Sequence, residues 1–228
     1  MNHFITTLSV FALSFTALAQ TESATATADW SPEIYQVGKM YPGYIINLDG
    51  DTIQGFIKAD QRCSIAGIGS SNQNTCAFYV NEADKKPAQK YKPADLKGYK
   101  IADKVYESIK YSGGLLKAPN FNLVVQEGAI RMYEWYATKE NYASISKQSG
   151  ETWLQYDARR FDSKQVVAKE GTDPIEVSML GLSFAKKMPE MIADHKELAA
   201  KVANKEKGYG FLRIYEVIDE YNKWKANN

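Results

Sequence analysis

An Asp-Gly pair between two alternating runs is the strongest local constraint on this chain. Tyr44, Ile46 and Leu48 alternate with Ile45 and Asn47. Asp49-Gly50 follows, and then Thr52, Gln54 and Phe56 alternate with Ile53, Gly55 and Ile57. Period-two patterning is the mark of a strand with two unlike faces, and glycine reaches positive φ without a steric penalty. The segment therefore predicts a hairpin with a tight turn at Asp49-Gly50. The neighbouring Asp51 gives the turn a faint likeness to a calcium loop. The remaining oxygen ligands and the closing glutamate of such a loop are missing, so the turn reading holds.

Further strands are expected over Thr75–Val80, Gln89–Tyr91, Gly98–Ala102 and Val105–Tyr111. Val105, Ile109 and Tyr111 would share one face. Phe121–Gln126 and Ala129–Ala137 flank Glu127-Gly128, a second hairpin signal. The second of these runs is apolar on both faces, with Ile130, Met132 and Tyr136 on one and Tyr133 and Trp135 on the other. A strand of that kind belongs in the middle of a sheet with both faces covered. Thr152–Tyr156, Gln165–Ala168 and Ile175–Val177 complete the strand candidates.

After Gly181 the period changes. Phe184, Met188, Met191 and Ile192 predict a helix capped by Ser183, with Pro189 moving its start toward Met188. Asp194 and Glu197 form a capping-box pair ahead of a helix from His195 to about Lys205. Phe211, Ile214, Tyr215, Ile218 and Tyr221 recur at helical spacing and predict a last helix to about Lys225. Strands first and helices last argue an α+β fold. The expected body is an antiparallel sheet or partial barrel over 41–181, with a C-terminal cap of two or three helices over 182–228 packed on the same domain.

The first residues carry an address. Phe4 to Leu18 is an apolar run, too short to cross a bilayer, which takes about 20 residues. It ends in Ala17-Leu18-Ala19 before Gln20, the pattern of a secretory signal peptide (1–19) cut between Ala19 and Gln20. Residues 20–40 read as a flexible leader. No later run is long enough for a transmembrane anchor. Export into an oxidising compartment makes the two cysteines, Cys63 and Cys76, a candidate disulfide. The chain carries 28 basic and 27 acidic side chains, so it lacks the basic face that nucleic acid requires.

The order of several motifs resembles a known group. Gly43-Tyr44-Ile45-Ile46 leads into Gly50-Asp51-Thr52-Ile53-Gln54-Gly55. Tyr91-Lys92-Pro93 and Asp95-Leu96-Lys97-Gly98-Tyr99 follow, and Asp194-His195-Lys196-Glu197-Leu198 and Tyr221-Asn222 close the chain. In this the chain resembles a broad group of small uncharacterised secreted and periplasmic proteins of Bacteroidota. The resemblance runs from about Tyr41 to Asn222. It brings no catalytic residue and no activity with it.

Few chemistries are spelled out. His195 is the one histidine after the signal segment, so a multi-histidine metal site is excluded, and no Cys/His cluster has zinc spacing. There is no P-loop, no dinucleotide fingerprint and no G-x-S-x-G elbow. No catalytic residue, cofactor or metal ligand is assigned. The surplus of 15 tyrosines and 4 tryptophans points instead to contact surface. Tyr133, Trp135 and Trp224 are the candidate contacts to a ligand or partner. The expected function is a non-enzymatic binding or scaffolding module of the cell envelope, in the periplasm rather than outside the cell. Its partner would be an unknown protein or a small apolar ligand. The alternatives are a carrier with an apolar cavity in the β body and a hydrolase using two carboxylates.

Overall fold

The structure, a computed structural model, describes residues 35–62, 71–113, 118–139 and 141–228. The expected signal cleavage between Ala19 and Gln20 lies outside the described residues. Ten strands form one sheet: β1 Met40–Ile46, β2 Thr52–Lys58, β3 Cys76–Tyr79, β4 Gln89–Tyr91, β5 Gly98–Ile101, β6 Lys104–Ile109, β7 Asn120–Gln126, β8 Ile130–Thr138, β9 Phe161–Lys169 and β10 Ile175–Glu176. Among the described residues the α-helices are α1 Trp153–Arg160, α2 Val177–Leu180, α3 Phe184–Met191, α4 Lys196–Ala203 and α5 Ile214–Ala226. The fold is α+β.

Every pairing between these strands is antiparallel, in the order β10-β9-β8-β7-β6-β5-β1-β2-β3-β4. The sheet is open. Its edges are the two shortest strands, β4 and β10, which leave little backbone for pairing with another chain. At the first hairpin Ile46 pairs with Thr52, so the turn is longer than the tight one expected. The Asn47 side chain organises it, accepting from the Gly50 and Asp51 amides at 2.8 Å each. Further along, Gly43 faces Gly55 across the ladder. A Cβ on Gly43 would fall 1.9 Å from the Lys100 carbonyl oxygen, so β1 approaches β5 more closely than any other residue allows.

One face of the sheet carries two joined cores. Ile45, Ile57, Phe78, Tyr99, Tyr106, Phe121 and Tyr136 draw β1 to β8 around a shared interior. The turn before β3 crosses that interior and docks on β8. There the Gln73 amide donates to the Tyr136 carbonyl at 2.9 Å and accepts from its N–H at 2.7 Å, a side chain standing in for a strand. Further along the same face, Ile130, Met132 and Val167 lie under the helices against Leu180, Met188, Leu198, Ile214, Ile218 and Tyr221. Burying each such side chain contributes about 1.5–3 kcal/mol, which is what holds the cap on the sheet. The opposite face carries a smaller cluster of Val124, Tyr133 and Val166, with Val105, Ile109 and Tyr111 packed against it.

Further expectations are corrected. Thr152–Tyr156 is not a strand but the start of α1, because Thr152 and Gln155 form a capping box: the Gln155 N–H donates to Thr152 Oγ1 at 3.3 Å, and the Thr152 N–H to Gln155 Oε1 at 2.9 Å. Asp194 does not cap α4. His195 is the N-cap and makes no side-chain cap bond, while Asp194 faces α5 and β9. The Cys63–Cys76 disulfide is not formed: Cys76 is a free thiol, fully buried on the interior face of β3, and its expected partner Cys63 lies outside the described residues. The helical region also starts earlier than expected, at Val177, and α3 runs through Pro189 to end two residues later.

Candidate functional site

A concavity lies where α1 runs into β9. It is a cleft of about 320 Å³ between residues 35–37 and 59–62 on one side and Tyr142, α1 and Phe161 on the other. The helix-to-strand junction builds it. Arg160 ends α1, and Phe161 both caps that helix and opens β9, so a guanidinium and an aromatic ring leave the junction side by side.

Arg62 forms the floor. It is 8% exposed, its Nη1 lies 3.1 Å from Asp157 Oδ2, and its guanidinium sits 4.6 Å from the Tyr136 ring centre. Burial pushes the Tyr136 phenol well above its ordinary pKa, so it stays neutral beside that charge. The wall facing α1 is set by Tyr35. Its hydroxyl donates to Asp103, and its ring lies 4.6 Å from the wholly buried ammonium of Lys104, itself 2.9 Å from Asp103. That three-residue clamp fixes where the chain enters the sheet and keeps Tyr35 at the cleft.

Arg160 differs from the other cations. Its guanidinium lies 4.8 Å from the Tyr156 ring centre, 5.0 Å from Tyr142 and 5.2 Å from Phe161. No acceptor or carboxylate among the described residues meets that side chain, and its buried Nε has no hydrogen-bond partner. The indole N–H of Trp153, on the same helix and lining the same cleft, is also buried without a partner. Arg159 beside it shows the contrast: it grips Glu151 with two bonds, Nε–Oε1 at 2.6 Å and Nη2–Oε2 at 2.8 Å.

A second, wider groove of about 1040 Å³ lies on the sheet face away from the helices. Near its middle Glu107 is engaged by two of the lining side chains. Glu107 Oε2 accepts from the Tyr133 hydroxyl at 2.6 Å and lies 3.5 Å from Arg131 Nη1. Burial, reinforced by the Glu107 charge, raises the Tyr133 phenol.

The structure does not bring the three expected contact residues together. Tyr133 lines the wide groove but is 2% exposed. Trp135 is half-buried, edge-on to Tyr111 at 6.1 Å, and packs where Gly113 leaves room for its ring. Trp224 is on α5, beyond the sheet from both, 4.4 Å from the His195 ring. None of the three lines the cleft. Arg62, Tyr142, Trp153, Asp157 and Arg160 were the residues to find. The Thr152-x-x-Gln155 capping signature was the available signal, since a helix there sets Trp153, Asp157 and Arg160 at spacings of three and four.

Among the described residues, no group of three or more His, Cys, Asp or Glu side chains is placed to hold a metal ion. No described helix is long and apolar enough to cross a membrane. No family model, curated protein or solved structure matches the chain.

Proposed function

We propose that this is an exported, non-enzymatic binding module of the cell envelope, working in the periplasm and taking its ligand in the cleft under α1. The single observation that carries the reading is Arg160, a guanidinium held in an aromatic cage in the cleft that Trp153 also lines, with its buried indole N–H, both without an acceptor among the described residues. Folding normally pairs such donors, and a cleft that leaves two of them unpaired is suited to receive acceptors from outside. Export is supported by the apolar run ending in Ala19 and by the likeness to small secreted proteins of Bacteroidota.

The rival readings fit less well. The space enclosed by β1 to β8 is occupied by Tyr99, Tyr106 and Phe121, each 1% exposed or less, which weighs against a carrier with an apolar chamber there. A two-carboxylate hydrolase draws some support from Asp60 and Asp157, which both line the cleft. Asp157, however, is bound to Arg62, an arrangement suited to an ionised structural carboxylate rather than to an acid that must carry a proton.

Cell fractionation followed by native mass spectrometry of protein purified from its own host tests the proposal. The expected result is a periplasmic protein beginning at Gln20, with extra mass that is lost on denaturation and in Arg160→Gln. A cytoplasmic protein with an intact N-terminus would overturn the export part. A hydrolytic activity abolished by Asp157→Asn would overturn the non-enzymatic part.

A further inference from the structure

The chain has five arginines. Four have a carboxylate: Arg62 with Asp157, Arg131 with Glu107, Arg159 with Glu151 and Arg213 with Glu216. Arg160 has none among the described residues, yet it is half-buried and its Nε is sealed from water. We propose that the group it serves is the oxyanion of a small ligand, a carboxylate or a phosphate, attached to a flat apolar body. The inference rests on the cleft being a binding site and names the chemistry that the site selects.

Three features lead there. A guanidinium presents a planar fork of donors that matches two oxygens of a carboxylate or phosphate, and it cannot escape burial by losing its proton. The aromatic cage of Tyr142, Tyr156 and Phe161 stabilises the cation without supplying an acceptor, so the fork is held in place and left unfilled. The indole N–H of Trp153 adds a further donor, and an indole has no acceptor to offer in return. A ligand with two acceptor oxygens fills the Arg160 fork, and a neutral hydroxyl fills it poorly.

The two acidic residues of the cleft do not compete for Arg160. Asp157 is engaged by Arg62, and Asp60 is not free either. The rest of the lining supplies the apolar half of the specificity. Val37, Ala59, Trp153 and Phe161 offer hydrocarbon and ring surface around a volume of about 320 Å³. That volume is at the lower end of the usual range for small-molecule sites, about 300–1,000 Å³, and so suits a ligand of one ring rather than a long chain.

The test is calorimetric titration of the purified processed chain with three probes of one shape: benzoate, phenyl phosphate and benzyl alcohol. Benzoate or phenyl phosphate binds, and the stronger of the two tells which oxyanion the site prefers. Benzyl alcohol binds at least tenfold more weakly. Arg160→Gln lowers the affinity for the preferred anion at least tenfold. Trp153→Phe, which removes the N–H and keeps an aromatic ring, lowers it a few-fold. Lys187→Gln, which removes an exposed positive charge on α3, leaves it unchanged. If Arg160→Gln fails to fold, Arg160→Lys keeps the charge without the planar fork, and a several-fold loss is expected there. Equal binding of benzyl alcohol and benzoate would overturn the oxyanion while leaving a binding cleft standing. Unchanged anion affinity in Arg160→Gln would place the anion elsewhere and overturn the proposal. Binding of none of the three probes would overturn this inference, whereas the binding-module reading is decided separately by the mass carried from the host.

Discussion

The corner where α5 meets the sheet and the cleft under α1 treat buried polar groups in opposite ways. At the corner Asp194 and Asn222 are fully answered, although Gln126 Oε1 nearby is buried without a partner among the described residues. Asp194 accepts from Tyr221 at 3.0 Å and from Lys225 at 3.0 Å, and Lys169 lies 3.4 Å away. Asn222 accepts from the Ile130 N–H at 2.8 Å and donates to the Ile130 and Glu127 carbonyls at 2.8 and 3.1 Å, closing the β7–β8 turn. In the cleft, Arg160 and Trp153 keep buried donors unanswered. A fold that satisfies its polar groups at one place and leaves them open at another separates the part built for stability from the part built for recognition. Asp194, Tyr221 and Asn222 all belong to the first part.

The largest effects belong to the cap. Ile218 is fully buried between α5 and the sheet, so Ile218→Ala is expected to cost about 2–5 kcal/mol in urea unfolding. Trp153→Ala in the cleft removes a larger side chain but costs less, because its indole is only partly buried. An equal loss at both positions would mean that the cleft is part of the core.

Next is the Asn222 clasp. Asn222→Ala strands the backbone groups of Ile130 and is expected to cost about 1–3 kcal/mol. Gly128, at φ +140°, lies against that side chain, and a Cβ there would fall 2.3 Å from the Asn222 amide. Gly128→Ala therefore destabilises for two reasons, backbone strain and a clash. In the Asn222→Ala background only the strain remains. The double-mutant cycle should show that the two losses do not add, and simple additivity would count against the clasp.

These comparisons show what was legible in the sequence. Alternation gave nearly all the strands: the pair around Glu127-Gly128 and the two-faced character of Met132–Tyr136 are as the pattern implies, although Gln126 pairs with Met132, so this turn too is longer than the two residues expected. The last helix was equally clear, because Ile214, Ile218 and Tyr221 repeat at the spacing of one helical face. The site was not legible. Its parts come from residues 35–37, residues 59–62, Tyr142, α1 and Phe161, which are far apart in the chain and meet only in the fold. Nothing local reports such a meeting. Even α1 reads as a strand by composition, since a short aromatic run has no clear period and only the Thr152–Gln155 capping box marks it as a helix. Tyr133, Trp135 and Trp224 were chosen for their size, and size by itself does not distinguish a contact surface from a core.

The Asp194 cluster gives a smaller, pH-dependent effect. Burial acts to raise the carboxyl, but hydrogen bonds from Lys225 and Tyr221 and the charge of Lys169 outweigh it and hold it at about 2, below its ordinary 3.8. A carboxyl lowered by folding binds fewer protons in the native state than in the unfolded state. Its contribution is therefore fully present above about pH 4 and is lost as the pH falls through about 2. Asp194→Asn should flatten that part of the stability profile and leave neutral-pH binding in the cleft unchanged. A profile with the same acid slope in the variant would assign the slope to other carboxylates.

The smallest effect is expected at Arg160, and its size bears directly on the division between the two regions. Replacing Arg160 with leucine removes cation–π contacts worth about 0.5–1 kcal/mol each at such sites. It also removes a buried donor without a partner, which costs the native state about 1–3 kcal/mol. The two terms oppose one another, and leucine retains hydrocarbon contact with the same rings. Arg160→Leu should therefore unfold within about 1 kcal/mol of the wild type, an order typical of positions outside the core. A loss of several kcal/mol would mean that the guanidinium is a structural element like the Asn222 clasp, and the cleft would then have no group set aside for a ligand. Near-neutral stability with loss of anion binding is what a residue kept for recognition gives.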